Sequence, residues 1–87
     1  MLSVDGVLLP LTGTQTRILE RLAREIRHPV THRELIRYAW GHPDAVSNQA
    51  LYVYINRIRS KWSGQNGHLT NYVISIHGYG YMLYPKI

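Results

Sequence analysis

The run from Ser47 to Trp62 reads Ser-Asn-Gln-Ala-Leu-Tyr-Val-Tyr-Ile-Asn-Arg-Ile-Arg-Ser-Lys-Trp. Successive residues of a helix turn by about 100°. With Ile55 facing inward, Val53 and Arg57 point almost directly away from it. Gln49, Ala50, Asn56 and Ser60 flank them, and Tyr52 and Tyr54 occupy the shoulders. A helix face that is merely solvated favours glutamate and lysine, whereas this one carries amides, a valine and an arginine. Arginine pairs with guanine, asparagine and glutamine with adenine, and valine can touch a thymine methyl. The chemistry these types offer is the reading of base edges in a major groove. The plain alternative is a mixed polar face with no partner.

Arg59 and Lys61 lie nearer the edges of the same face and suit phosphates better than bases. The hydroxyls of Tyr52, Tyr54 and Tyr72 could do likewise, although a half-buried packing role competes, most of all for Tyr54. About ten residues further on stands Tyr72-Val-Ile-Ser-Ile-His-Gly-Tyr-Gly-Tyr-Met-Leu83. This reads as a hairpin whose tip is His77-Gly-Tyr-Gly80, with glycines that permit positive φ and close approach to a surface. Ser75, His77 and Tyr79 project near that tip. Protonation of His77 would add charge there and modestly raise affinity for a polyanion at mildly acidic pH, although an ordinary turn histidine is the simpler reading.

Several elements must hold these groups. Leu2 to Leu11 brackets Asp5-Gly6, a short hairpin signal. Thr12-Gly-Thr-Gln15 fits a capping box. Ile18, Leu19, Leu22, Ala23 and Ile26 then make one apolar stripe on a helix of about 13–27, with Pro29 as its stop. A second capping box, Thr31-His-Arg-Glu34, opens a short helix with Leu35, Ile36, Ala39 and Trp40 inward and Gly41 as its end. Gly41 to Val46 is a loop, and Ser47 or Asn48 caps the third helix. Leu51, Ile55, Ile58 and Trp62 form that helix's buried seam. Ser63 to Gly67 reads as a loop, and strands of about 71–77 and 80–84 end the chain. The order is hairpin, three helices, hairpin. Arg17, Arg21 and Arg24 form a basic ridge on the first helix, but Glu20 and Glu25 beside it favour an ordinary solvated face.

Composition narrows the partner. The chain has 87 residues, 45% apolar, which suits one small domain with one core. Its formal net charge is +5. All five acidic residues (Asp5, Glu20, Glu25, Glu34, Asp44) lie at or before position 44, while Arg57, Arg59, Lys61 and Lys86 follow it. A positive C-terminal half suits nucleic acid first and an anionic membrane surface second. No run of apolar residues is long enough to span a bilayer, and the opening Met1 to Val7 does not read as a signal peptide. The absence of cysteine excludes disulfides and thiolate metal sites and fits a reducing compartment. No phosphate-binding glycine loop, dinucleotide fingerprint or His-Glu-x-x-His is present, so no enzyme, cofactor or metal site is expected. His28 and His32 straddle a proline and a helix start and do not share a face.

Leu11-Thr12, the Glu34-Leu35 to Ala39-Trp40-Gly41 segment, Leu51-x-Val53-x-Ile55-x-Arg57-Ile58-Arg59-x-Lys61 and Gly78-Tyr-Gly-Tyr81 occur in one order. Together they resemble the winged-helix DNA-binding domain of OmpR/PhoB-type response regulators, over about residues 4–84. The resemblance implies an α+β fold. Its parts are a winged helix-turn-helix with a short N-terminal β-hairpin, three helices and a C-terminal β-hairpin wing. Residues 1–87 would form a single domain, with a recognition helix of about 48–62 and a wing of about 71–84. It implies sequence-specific binding of double-stranded DNA, transcription regulation and a cytoplasmic, nucleoid-associated location. Carried over residue by residue, the base-reading arginine falls on Arg57 and the one after it on Arg59, the thymine-facing valine on Val53, phosphate-contacting positions on Tyr54, Asn56 and Ser75, and the wing arginine on His77. Taken with the helix-face reading above, the base-reading set is Arg57, Val53, Asn56 and Gln49. The phosphate or wing set is Arg59, Lys61, Tyr52, Tyr54, Ser75 and His77. The loop at His42, Pro43 and Asp44 falls where some members touch RNA polymerase. Members also bind tandem half-sites as dimers.

The departures bear on specificity. His77 stands where the family carries a wing arginine, Gln49 where arginine is common, and Tyr52 where many members are acidic. The N-terminal sheet offers two strands where members carry about four. These 87 residues hold no receiver domain, so the expectation is either a piece of a longer regulator or a free-standing one controlled by abundance or a partner. A winged helix that binds RNA polymerase or another regulator is the competing reading, kept open by the many tyrosines.

Overall fold

The computed structural model describes residues 2–4, 7–9, 11–65 and 73–84. Strands β1 (Leu2–Val4) and β2 (Val7–Leu9) pair antiparallel, Val4 opposite Val7, around the predicted Asp5-Gly6 turn, which lies outside the described residues. Helix α1 (Gly13–Arg24) starts on the expected capping box. Thr12 Oγ1 accepts from Gln15 N at 3.3 Å, and Gln15 Oε1 accepts from Thr12 N at 3.2 Å. Helix α2 (His32–Trp40) is capped by Thr31, whose Oγ1 accepts from Glu34 N, and ends on Gly41 in the left-handed region at φ 87°. Here the expected box is only half formed, because the Glu34 carboxylate turns instead to Arg21 and Arg37. Helix α3 (Asn48–Gln65) is capped by Ser47, whose Oγ accepts from Ala50 N at 3.1 Å.

Three sequence expectations are corrected. Helix α1 stops at Arg24 rather than near 27, since Arg27 adopts φ 67° and its N–H bonds the Leu83 carbonyl at 2.8 Å. The chain is turning there to deliver Val30 to a sheet, which leaves Ile26 exposed, while Ala23, still within the helix, lies to one side of the Ile18, Leu19 and Leu22 stripe and is exposed too. Helix α3 runs through Ser63 and Gly64 to Gln65, where a loop was expected. A two-residue strand, β3 (Val30–Thr31), had no periodicity to announce it.

That short strand completes the wing. With β4 (Val73–Ile76) and β5 (Gly80–Leu83) it forms an antiparallel sheet of order β3-β5-β4, so β5 is central and β4 is an edge. The strands end at Ile76 and Leu83, one residue before the expected 77 and 84, and residues 71 and 72, with Tyr72, lie outside the described residues. Ile18, Leu19 and Leu22 of α1, Leu35, Ile36 and Ala39 of α2, Leu51, Ile55 and Ile58 of α3, and Val30, Val73, Tyr81 and Leu83 of the sheet form one core. The seam expected for α3 is thus buried through Ile58, while the Trp62 side chain is outside the described set. Leu11, Trp40, Val46 and Tyr54 pack around its margin.

Candidate nucleic-acid interface

Burying Leu51, Ile55 and Ile58 fixes the rotation of α3. Gln49, Tyr52, Val53, Asn56, Arg57 and Ser60 are consequently exposed along its opposite side. Val53 is 45% exposed and Tyr52 49%, against 0% for the three seam residues. The four residues expected to read bases (Gln49, Val53, Asn56, Arg57) therefore share one accessible face.

Arg57 makes no hydrogen bond or ion pair among the described residues. Its guanidinium lies 5.6 Å from the Tyr54 ring centroid. Tyr54 in turn meets Trp40 of α2 edge-to-face, with centroids 5.0 Å apart. Tyr54 is thus the half-buried boundary residue that the packing alternative described, and its ring restrains Arg57 by a cation–π contact while leaving the charge outward.

Arg59 and Lys61 are placed differently. Lys61 Nζ donates to Gln15 Oε1 at 2.8 Å, so Gln15, itself buried, links the cap of α1 to the last turns of α3. Arg59 reaches the wing. Its Nε and Nη2 both donate to the Val73 carbonyl, at 3.0 and 2.7 Å, and Nη2 also donates to Ser75 Oγ at 3.0 Å. On its other side Nη1 donates to Asn56 Oδ1 at 3.2 Å, and the guanidinium lies 6.0 Å from the Tyr81 ring centroid. Burial pushes the Tyr81 hydroxyl up from its ordinary pKa; the Arg59 charge opposes this and Tyr52 adds to it. Sequence reasoning set Arg59 on phosphates and missed this bridge, because nothing in helical spacing says which strand will lie beside a helix.

The wing tip is a hydrogen-bonded turn, Tyr79 N to Ile76 O at 3.0 Å, with Gly78 at φ 70°. Gly78 supplies the positive φ that a type II turn needs at its third position. Gly80 serves another purpose, since a Cβ there would come within 1.9 Å of the Val30 carbonyl oxygen. His77, Tyr79 and Ser75 are exposed, as expected. The tip is tied back to the helices by His32 N donating to the Tyr79 carbonyl at 3.0 Å. Between α2 and α3, His42 and Asp44 are exposed and Pro43 is half-buried, and His42 Nδ1 accepts from Asp44 N at 3.1 Å.

The family model "Transcriptional regulatory protein, C terminal" matches residues 6–83. The chain belongs to this family. KdpE, a transcriptional regulatory protein of Mycobacterium tuberculosis, is 32% identical over 77 residues, 88% of this chain and 34% of that protein. Response regulator ArlR of Staphylococcus epidermidis is 27% identical over 81 residues, 93% of this chain and 36% of that protein. The chain thus spans about a third of the length of these curated relatives. Among solved structures, the DNA-binding domain of CpxR from E. coli superposes with a TM-score of 0.78 at 27% identity, over 98% of this chain and 82% of that one. The DNA-binding domain of AdeR, solved in complex with an intercistronic region, shares the fold at 22% identity and TM-score 0.78, over 91% of this chain and 76% of that one. The architecture is that of the winged-helix domains of response regulators, α+β with three helices and a small antiparallel sheet, and the family is one of transcription regulators rather than enzymes.

Among the described residues there is no group of three or more His, Asp or Glu able to hold a metal ion. No described helix is long and apolar enough to cross a membrane.

Proposed function

We propose that this domain binds double-stranded DNA sequence-specifically to regulate transcription, with α3 in the major groove and the wing against the flanking backbone or minor groove. The observation that carries the reading is the open face of α3, where Gln49, Val53, Asn56 and Arg57 stand together with no carboxylate after Asp44. Arg57 reads guanine, and Val53 touches a thymine methyl. Gln49 offers both halves of its amide to adenine. Asn56 has its oxygen turned to Arg59, so it offers amide N–H donors to acceptor atoms instead of the two-sided adenine contact. Tyr52, Ser75 and His77 contact phosphate or the minor groove, and Lys61 adds sequence-independent attraction. His77, lacking a permanent charge, grips a narrow groove less firmly than an arginine.

One helix and one wing neutralise few phosphates, so a single site binds with roughly micromolar affinity and steep salt dependence. Two copies on tandem half-sites bind more tightly. The turn at His42, Pro43 and Asp44, exposed at His42 and Asp44, is where RNA polymerase would be met. The setting is cytoplasmic, on the nucleoid.

Selection from a random duplex pool at moderate salt, with Arg57→Ala alongside, tests this. A recovered motif that blurs at one or two base pairs in the variant is the expected result. Weak binding without a motif, equal in both proteins, would sink it and favour the competing reading. In that reading the exposed Tyr52 and Tyr79 anchor a protein partner, and binding is far less sensitive to salt.

A further inference from the structure

The geometry points to Arg59 as a positioning residue that sets the wing against the recognition helix, rather than as a phosphate contact. A guanidinium has five N–H donors in a rigid fork. Hydrogen bonds to the Val73 carbonyl (two), Ser75 Oγ and Asn56 Oδ1 take up four of them. Its flat face lies near the Tyr81 ring. Such a group has little left with which to grip a phosphate.

The target of the fork explains the arrangement. Strand β4 is the edge of its sheet, so its outer carbonyls have no strand partner. Arg59 supplies one for Val73 from the neighbouring helix. Three residues along α3 the Asn56 amide is held by the same fork, which ties the angle of the wing to a residue of the exposed face. A lysine at 59 would preserve the charge and lose the fork, since an ammonium is a point donor. Charge and geometry can therefore be separated by one substitution.

This inference rests on the DNA-reading function above, and its test separates the two. Arg59→Lys and Arg59→Ala full chains are compared with the unaltered protein on the selected duplex and on the same duplex truncated at the wing-side flank. Amide hydrogen exchange of the free proteins is followed in parallel. As a brace, Arg59 gives the following pattern. Both variants bind the full duplex roughly tenfold more weakly. Both bind the truncated duplex as the unaltered protein does, because the wing contact is already gone. The salt dependence of the lysine variant is unchanged. Exchange rises in β4 and at Tyr79 but not in α1 or α2. A general loss of stability would instead weaken binding to both duplexes. If Arg59→Lys keeps full affinity while Arg59→Ala lowers the salt slope by about 0.9, Arg59 is a phosphate contact and the inference falls. Unchanged exchange in the lysine variant overturns it equally. Should the unaltered protein bind no duplex, the DNA reading fails, and the exchange data alone decide whether Arg59 holds the wing.

Discussion

Arg17, Arg21 and Arg37 on α1 and α2 differ from Arg57 on α3 in what surrounds them. Arg17 Nε donates to the Ala39 carbonyl at 2.8 Å, and Arg21 lies 3.7 Å from Glu25 and 3.5 Å from Glu34. Arg24 sits over the Tyr38 ring, and Arg37 pairs with Glu34. The ridge on α1 thus turns out to be the stitching between two helices. On α3, Arg57 stands on an aromatic ring with no carboxylate or carbonyl partner among the described residues. Counting basic residues does not locate a polyanion site; what matters is whether neighbouring acceptors already engage their donors. The same distinction operates inside α3, where Arg57 and Arg59, two residues apart, have opposite surroundings.

The largest effect on this contrast is expected from removing the wing's support. Gly80→Ala drives a methyl into the Val30 backbone and separates β3 from β5, at a cost of about 3 kcal/mol or more. Thermal denaturation with exchange in β5 checks this. A variant as stable as the unaltered protein would mean that the wing is not anchored through β3. Next in size comes the contrast itself. Arg57→Ala should lose about 1–3 kcal/mol of binding to its selected duplex and relax specificity locally. Arg21→Ala should leave affinity within about twofold and instead reduce stability by no more than about 1 kcal/mol. Equal losses of affinity in both variants would erase the distinction between the two regions.

Much of this organisation is legible in the sequence, for identifiable reasons. Periodicity sees burial, so Leu51, Ile55 and Ile58 came out as the seam and Gln49, Val53, Asn56 and Arg57 as the open face. Local side-chain chemistry sees caps, so Thr12, Thr31, Ser47 and Gly41 marked the helix ends. Pairing between distant segments is invisible to both. Strand β3 is two residues long, too short for any alternation, and exists because Val30 meets Tyr81 across the sheet. The early end of α1 follows from that pairing. Gly80 read as a turn glycine, whereas what excludes a side chain there is a backbone fifty residues upstream. The intramolecular partners of Arg59 and Lys61 went unseen for the same reason, since Val73 and Gln15 lie on other elements.

The smallest effect concerns pH and confines itself to the stitched region. Hydrogen bonding to Arg37 holds the Glu34 carboxyl below its ordinary value of 4.5, aided by the charges of Arg37 and Arg21 and opposed by partial burial. A carboxylate whose folded pKa is depressed contributes stability that is present above its unfolded pKa and is lost as the pH falls through the folded one. The loss therefore begins near pH 4.5 and continues below it. Because the groups are partly solvated, its size is at most about 1 kcal/mol. Thermal midpoints measured from pH 7 down to pH 3 should fall more steeply for the unaltered protein than for Glu34→Gln, with the two curves converging at the acid end. Parallel curves across that range would mean that Glu34 does not link α1 to α2 energetically. Arg21 and Arg37 would then have no energetic tie through Glu34, and the contrast between the two regions would rest on Arg17 and its bond to the Ala39 carbonyl.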